Sequence, residues 1–410
     1  MIEWSEQHEL IRETFRRFVE AEIKPNLREL EHGDTPPYAV LRKMMATFGI
    51  DQMARARFER QIAREKAAAA GEPPPAERPA GPEAADAAAM QLIPVIELCR
   101  YCPGMVTALG VSVGLTAAAI MARGTIRQKE RWGLPLLTLE KIGAWAITEP
   151  GSGSDAFGGM KSTARRDGDR GYVLNGSKTF ITNGPYADTI VFICKLDEGN
   201  DPRERKVLSF ILDGDLPGLT RSKPMRKMGL HSSPTGELFL EDVRAGRERL
   251  LGETEEAPAR AGAKQTFSQE RAGVPAMALG IVSQCLDLCV DYARTRVQFG
   301  RPIGEFQLIQ LKLARMEVAR MNLQNMIFRQ IEMAGAGKRM TLAEASAAKL
   351  YAAQAAMDVA LEAVQLFGGN GYMAEFQVEQ LCRDAKVLQI YAGTDEIQVS
   401  QIARSLLTAG

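Results

Sequence analysis

The hydrophobic pattern changes period twice along this chain of 410 residues. Near the N-terminus, apolar residues from Ile11 to Ile23 recur every three to five positions after Ser5, which is a good helix N-cap. Between Trp145 and Leu240 the period becomes two, in short runs at 189–194, 207–212 and 237–240. Helical spacing then returns up to the C-terminus. The sequence therefore predicts helices, then a compact β domain, then helices again.

We place the predicted domains at 1–142, 143–257 and 258–410. The first is helical, the second contains the strands, and the third is a helical bundle whose core includes apolar stripes through Leu313 and Leu361. Residues 67–89 are rich in Pro, Ala, Gly and Glu, a composition that buries too little apolar surface to offset the entropy of ordering. We interpret them as a flexible insertion, and 258–264 as a second linker of small residues.

Composition excludes several classes of function. Lys plus Arg and Asp plus Glu both number 51, so net charge predicts neither a nucleic acid nor an anionic membrane as partner. The three histidines are scattered, and the isolated Cys99/Cys102 pair has poor spacing for a metal site, so we expect no metal. Reduced core cysteines suit a cytoplasmic protein.

Residues 101–122 contain no charged residue, but Gly, Ser and Thr lower the hydrophobicity of this segment. This favours a buried helix over a membrane span.

One segment of the predicted β domain suggests ligand contact. Residues 145–156 read WAITEPGSGSDA, where small residues let the backbone approach a flat ligand and the hydroxyl groups of Thr148 and Ser154 supply hydrogen bonds. Taken alone, such a loop is equally typical of a connector between strands. Residues 172–182 contain Asn175-Gly176, the favoured turn of a tight hairpin.

Four further motifs follow in order: KTFITNG (178–184), RVQFGRPI (296–303), QLFGGNGY (365–372) and IYAGTDEIQ (390–398). Together with the first loop, the sequence resembles the acyl-CoA dehydrogenase family, flavoproteins that introduce a double bond next to a thioester. The resemblance implies an N-terminal helical domain, a small β-barrel or sandwich domain, and a C-terminal four-helix bundle. It is interrupted after Ile50, where the family usually has a Pro-Glu-x-Tyr-Gly-Gly segment that is absent here.

The resemblance also implies an FAD site shared between subunits. Residues matching the family's flavin contacts within one chain are Ile147, Thr148, Ser154, Phe180 and Thr182, with Phe180 where the family often has Trp. Residues matching contacts to the FAD of neighbouring subunits are Arg296, Gln298, Phe299, Gln365 and Gly369, while Thr394 and Glu396 match contacts to the adenosine half. A homo-oligomer, most simply a tetramer, follows from these matches.

The position of the catalytic base departs from the commoner family pattern. Most members have Glu after the Tyr of Y-E-G-T, where this chain has Ala392. Isovaleryl- and long-chain-type members place the base in a segment similar to FSQER (267–271), which puts Glu270 at that position and Arg271 where the family binds the CoA or adenine side. Residues matching substrate contacts are Ser154, Arg271, Tyr391, Ala392 and Gly393.

The activity implied is dehydrogenation of an acyl-CoA to a trans-2-enoyl-CoA. Glu270 would remove the α-proton, FAD would accept the β-hydride, and an electron-transfer flavoprotein would reoxidise the flavin. Two other interpretations stay open: a non-catalytic subunit of a mixed oligomer, suggested by Ala392, and a flavin oxidase or monooxygenase of the same fold. The acyl chain is not determined by the sequence and could be short, branched, long or polycyclic.

Overall fold

A computed structural model of the chain describes residues 3–71, 80–256 and 259–408. Helical N- and C-terminal parts flank a central mixed β sheet, and 61% of the chain is helical, which confirms the predicted fold class. Ser5 caps the first helix as predicted, because its side chain accepts a hydrogen bond from the His8 backbone N–H at 3.2 Å. The N-terminal helices are α1 Glu6–Phe18, α2 Leu27–His32, α3 Tyr38–Thr47, α4 Ile50–Ala69, α5 Pro82–Cys99, α6 Pro103–Leu109, α7 Ala118–Arg123, α8 Ile126–Gln128 and α9 Leu134–Leu137.

The predicted insertion at 67–89 differs from the structure at both ends. Residues 67–69 form the last turn of α4, and residues 82–89 form the first two turns of α5. Alanine is the strongest helix former, and Pro82 stands at a first-turn position, where its missing N–H is tolerated. The prediction from composition therefore made the insertion too long at both ends, because α4 and α5 extend into it. Residues 72–79 of the insertion lie outside the described residues.

Among the residues that the structure describes, two helical segments are apolar and long enough to cross a membrane: Pro103–Arg123, which joins α6 and α7 through a π-helical stretch, and Glu270–Thr295. In the structure 50% and 72% of their most apolar windows are buried within the protein. The first packs beneath the strand Gly143–Ala146, and the second contacts α5 and the helix Leu342–Phe367. Both serve as core helices, as predicted for residues 101–122.

The β domain is one mixed sheet with strand order β1-β4-β2-β3-β7-β6 and β5 paired to β4. Strand β1 runs parallel to β4, with Trp145 opposite Val191, so residues 147 onwards leave the sheet beside its centre. The strands are β1 Gly143–Ala146, β2 Thr163–Arg166, β3 Tyr172–Thr182, β4 Thr189–Leu196, β5 Val207–Asp213, β6 Leu219–Arg221 and β7 Thr235–Ala245.

The predicted hairpin turn at Asn175-Gly176 is wrong, because β3 continues unbroken through both residues. The pairing of β3 with β7 shifts register there, as in a β-bulge. Gly176 has φ +151°, and an added Cβ would lie 2.2 Å from the Ser162 hydroxyl. Asn175 instead bonds to Asp242 on β7. Glycine is required at this position for a close approach between strands.

The C-terminal bundle consists of α10 Ala259–Thr295, α11 Gln307–Gly335, α12 Leu342–Phe367, α13 Val378–Val387 and α14 Asp395–Thr408. A small hairpin, β8 Val297–Gln298 and β9 Arg301–Pro302, joins α10 to α11. The predicted linker at 258–264 is wrong from Ala259 onwards, because α10 begins there. Leu313 packs against the core as predicted, but Leu361 is 50% exposed, because alanines fill the inner face of α12.

Candidate active site

The loop after β1 is held by a buried ion pair. The Lys178 ammonium, fully buried on β3, lies 2.8 Å from a Glu149 carboxylate oxygen and donates to the Ile147 carbonyl at 3.1 Å. Glu149 also accepts from the backbone N–H groups of Lys161 and Ser162 at 2.6 and 3.0 Å. Burial pushes the pKa of Glu149 upward, but Lys178 and these donors outweigh it and leave the pKa below its usual value. These contacts fix the backbone of the predicted ligand loop.

Phe180 is presented to solvent by an irregularity in β3. Its φ is +57°, and the register with β7 shifts between Lys178 and Ile181. The Phe180 ring is 67% exposed, although the strand around it is well packed. The backbone N–H of the preceding residue, Thr179, donates to the Thr148 carbonyl at 3.0 Å. The loop after β1 and the Phe180 bulge are therefore adjacent.

The hydroxyl groups of Thr148, Ser154 and Thr182 have no hydrogen-bond partner among the residues that the structure describes. Ile147 is buried below them. An exposed aromatic face beside unpartnered hydroxyl groups on a rigid loop fits a flat, polar-edged ring such as isoalloxazine. The Thr179–Thr148 bond places Ile147 and Thr148 beside Phe180, Thr182 lies two residues further along β3, and Ser154 follows in the same loop as Thr148.

A second group of predicted residues surrounds the turn between α13 and α14. Ala392 and Gly393 have φ of +55° and +92°, which makes the chain turn sharply after Tyr391. The Ala392 carbonyl accepts from Arg271 Nε at 3.0 Å and from Gln398 Nε2 at 3.2 Å. The Ala392 backbone N–H has no partner among the described residues. The turn is thus held at the Ala392 carbonyl, while the Ala392 N–H is left as a hydrogen-bond donor without a partner among the described residues.

Glu270 lies beside this turn on α10. Its side chain is half-buried, and burial raises its pKa to about 7, against the opposing effect of Arg271 and Lys349. The negative charge of Glu270 also acts on Tyr391, whose hydroxyl lies 3.1 Å from Met277 Sδ. A carboxyl group that titrates near neutral pH beside a free backbone donor is suited to proton transfer.

Arg271 is directed into the protein. It is only 7% exposed and donates to Ser346 Oγ at 3.2 Å in addition to Ala392. These partners give it a role in holding the turn; its predicted contact with CoA stays a prediction. The neighbouring Lys349 is fully buried and pairs with Asp395 at 3.1 Å, just after the turn.

Most of the remaining predicted residues are exposed and lie away from both groups; half-buried Thr394 and exposed Glu396 instead follow the Ala392 turn directly. Arg296, Gln298 and Phe299 belong to the β8–β9 hairpin, whose central residues Phe299 and Gly300 both have positive φ. Phe299 is 94% exposed. Gln365 and Gly369 lie at the exposed C-terminal end of α12, and Thr394 and Glu396 lie where α14 begins.

Sequence reasoning missed the partners that support these residues. Lys178 and Glu149 both fall within quoted motifs, but nothing in the pattern paired them. The available signal was a single charged residue in each of two segments, 143–150 and 172–182, that otherwise carry no charge. Gln398 and Ser346, which hold the Ala392 turn directly or through Arg271, carry no local signal, because their partners are distant in sequence.

The domain families confirm the predicted resemblance. The acyl-CoA dehydrogenase N-terminal, middle and C-terminal domains match residues 5–54, 144–243 and 261–407. The chain belongs to the acyl-CoA dehydrogenase family. As an acyl-CoA dehydrogenase it is an FAD-dependent oxidoreductase.

Three similar proteins illustrate this membership. A 3-(aryl)acrylate reductase of Clostridium sporogenes is 36% identical over 98% of this chain and 99% of its own length. The structure of butyryl-CoA dehydrogenase from Megasphaera elsdenii superposes with a TM-score of 0.81, 33% identity and coverage of 99% of this chain and 100% of that chain. A chain from a structure titled as the electron transferring flavoprotein of Acidaminococcus fermentans gives a TM-score of 0.80, 31% identity and complete coverage of both chains.

Proposed function

We propose that the protein dehydrogenates an acyl-CoA between its α and β carbons and that Glu270 is the base. The observation that carries this proposal is the position of Glu270 beside the Ala392 turn with a pKa of about 7. At neutral pH a large fraction of this carboxyl group is ionised, so it is able to accept the α-proton of a thioester. Alanine at 392 has no side chain capable of that step.

Stabilisation of the enolate would come from the backbone. Removing the α-proton places negative charge on the thioester oxygen, and a fixed N–H donor lowers the free energy of that state. The Ala392 N–H is unpartnered among the described residues, and Arg271 and Gln398 hold the adjoining carbonyl. Because the Ala392 N–H is already held in position before the proton is removed, it needs no reorganisation during the reaction.

Ile147, Thr148, Ser154, Phe180 and Thr182 would hold the flavin ring against the β-carbon. Bound FAD supplies the acceptor for the hydride that leaves this carbon. An electron-transfer flavoprotein as the oxidant is supported by the similarity to the chain from the Acidaminococcus fermentans structure. The similarity to butyryl-CoA dehydrogenase supports a short acyl chain. A cytoplasmic location remains part of this proposal.

The site would be completed by a second copy of the chain. Glu270 lies within α10 and Arg296 directly follows its end, and the helix from Glu270 to Thr295 is roughly 37 Å long at 1.5 Å per residue. One flavin site therefore cannot use both residues of the same chain next to the reacting carbon. The exposed apolar residues Leu308, Leu311, Val318 and Met321 on α11, with Phe299 on the hairpin, support a homo-oligomer, which we expect to be a tetramer.

Anaerobic reduction of the bound flavin by butyryl-CoA and by branched, long and aryl acyl-CoAs tests the proposal. Glu270→Gln keeps the size of the side chain but removes its basicity, so the rate of bleaching should fall by roughly 10²–10⁴-fold while FAD content is unchanged. Glu13→Gln, an exposed change on α1, is the matched control and should behave as wild type. Near-normal bleaching by Glu270→Gln with its best substrate would overturn the assignment.

The same assay separates the other interpretations. Wild-type protein that binds FAD but bleaches with no acyl-CoA unless a second chain is added would support a non-catalytic subunit. Rapid reoxidation of the reduced flavin by air would support an oxidase. The similarity to the 3-(aryl)acrylate reductase favours one further candidate, the same reaction run in reverse. In that direction protonated Glu270 would donate its proton to the α-carbon of an enoyl thioester, while bound reduced FAD would supply the hydride that the β-carbon needs.

A further inference from the structure

Helix α12 carries two fully buried polar side chains one turn apart, Ser346 and Lys349. The rest of its buried face is mostly alanine, at positions 345, 348, 352, 353, 355 and 356. Small neighbours leave room for a long side chain, but burying an ammonium group is costly unless it is paired. Packing alone therefore does not require either polar group on this face.

Lys349 holds the start of α14. Its ammonium donates to a carboxylate oxygen of Asp395, the first residue of that helix, at 3.1 Å. The Asp395 backbone N–H donates to the Gln389 carbonyl at 3.1 Å, which closes the loop from 389 to 395. The Ala392 turn lies within this loop. The pair between Lys349 and Asp395 therefore anchors one end of the turn to α12.

Ser346 supports the same turn through Arg271. Its hydroxyl oxygen accepts from Arg271 Nη1 at 3.2 Å, and Arg271 Nε donates to the Ala392 carbonyl at 3.0 Å. Ala392 has φ +55°, a left-handed conformation that is strained for any residue with a Cβ. Such a conformation persists only where the surrounding structure holds it. Helix α12 thus supports the strained turn from two sides.

The charge of Lys349 also acts on the proposed base. The charged or titratable groups facing Lys349 are Glu270 and Arg271 on α10 and Asp395 and Glu396 on α14, and Tyr391 in addition faces Glu270. A positive charge favours the ionised form of a carboxyl group. Burial raises the pKa of Glu270, and the charges of Arg271 and Lys349 oppose that effect.

We propose that Lys349 is a positioning residue of the active site, which holds the Ala392 N–H where the thioester oxygen develops its charge. The inference rests on the proposed dehydrogenation, in which that N–H stabilises the enolate. Lys349 is fully buried, so it acts through Asp395 and through its charge. Loss of the pair lets the start of α14 move and displaces the donor. Loss of the charge makes Glu270 harder to ionise.

Lys349→Met tests the proposal, because it removes the ammonium and keeps most of the length of the side chain. Displacing a preorganised group by about 1 Å costs up to 10²-fold in rate, so flavin reduction at saturating acyl-CoA should slow by roughly 10–10²-fold. The midpoint of its pH profile should move above the wild-type value of about 7, because Glu270 has lost a nearby cation. Stopped-flow measurement of the holoenzyme gives both quantities.

Loss of stability is separated from loss of position by two variants. Lys349→Met also leaves Asp395 unpaired, whereas Lys349→Met with Asp395→Asn leaves no unpaired carboxylate. The double variant should recover part of the lost stability while its rate and pH midpoint stay altered. Lys129→Met is the matched control, because the Lys129 ammonium is also buried and pairs with Glu65 at 2.6 Å, within the N-terminal helices. It should lower Tm but keep the wild-type rate and pH profile.

Hydrogen exchange of residues 389–398 measures the turn without turnover. Exchange should be faster in Lys349→Met than in wild type or Lys129→Met, because the bond from the Asp395 N–H to Gln389 opens more often. Unchanged exchange would overturn the proposal. So would a double variant that regains the wild-type rate together with its stability, or a Lys349→Met protein with the wild-type rate and pH midpoint. Failure of the proposed function is distinguishable, since no acyl-CoA would then bleach even the wild-type flavin, and the inference would fall with it.

Discussion

Replacing Lys178 by Met should weaken the β domain and the flavin site together. The ammonium is fully buried, so removing it leaves the Glu149 carboxylate in the interior without its cation. Breaking a buried pair in this way costs about 3–5 kcal/mol. Glu149 keeps its two backbone donors, at Lys161 and Ser162, which places the expected loss near the lower limit, about 3 kcal/mol.

The shift in Tm depends on how much of the chain unfolds at once. The entropy of unfolding is about 2.1 cal/mol/K per residue, so 3 kcal/mol corresponds to a decrease of roughly 3–4 °C if all 410 residues unfold together. If the predicted domain 143–257 unfolds alone, the decrease is roughly 12 °C. Differential scanning calorimetry of the holoenzyme measures this shift, and flavin absorbance after gel filtration measures retained FAD.

The matched control is Arg165→Met, which removes an ion pair between Arg165 and Asp197 in the same sheet but at an arginine side chain that is 71% exposed. Exposed pairs stabilise proteins little, so the decrease in Tm should be at most about a third of that of Lys178→Met, whichever part of the chain unfolds at once. The reasoning is refuted if Lys178→Met unfolds and retains FAD as Arg165→Met does. A double variant, Lys178→Met with Glu149→Leu, should recover part of the lost stability, because no unpaired charge is left.

Three further predictions follow from other parts of the structure. The rate of flavin reduction should rise with pH through about 7 and then level off, because Glu270 accepts a proton only when ionised; a flat profile in stopped-flow measurements would contradict this. Arg296→Ala should lower FAD affinity by about 1.5–3 kcal/mol, measured by flavin titration of the apoprotein; unchanged affinity would remove Arg296 from the site. Gly176→Ala should lower the free energy of unfolding by about 1–3 kcal/mol, because the added Cβ would overlap Ser162. Gly168→Ala, at φ +56° with open space around it, should lower it by about 1 kcal/mol; chemical denaturation measures both.

The sequence predicted the fold class because the changes of hydrophobic period are strong and extend over many residues. Its motifs also named both segments of the proposed site, 147–154 and 391–393, and their roles stay predictions. Its errors came from local rules that tertiary contacts override. Asn175-Gly176 has the composition of a hairpin turn, but the approach of Ser162 requires glycine inside a continuous strand. Residues 259–264 have the composition of a linker, but they begin the long α10 helix. The domain boundaries at 142/143 and 257/258 stay predictions.

The residues that hold the site residues in position were harder to predict than the site residues themselves. Motifs point to residues that face a ligand, whereas the groups that hold them interact across large separations in sequence. The Lys178 and Glu149 pair joins positions 29 residues apart, and Arg271 reaches Ala392 across 121 residues. Lys349 on α12 reaches Asp395 across 46 residues. Such contacts require the folded chain.

The length of α10 has a genetic consequence. Because Glu270 and the Arg296 hairpin serve different flavin sites in our proposal, a chain with a defective base and a chain with a defective hairpin are damaged in complementary ways. When the two chains pair, one site receives both defects and the other receives neither. Random mixing of equal amounts should therefore leave about a quarter of all sites intact, so co-expression of two inactive alleles should restore activity that neither gives alone.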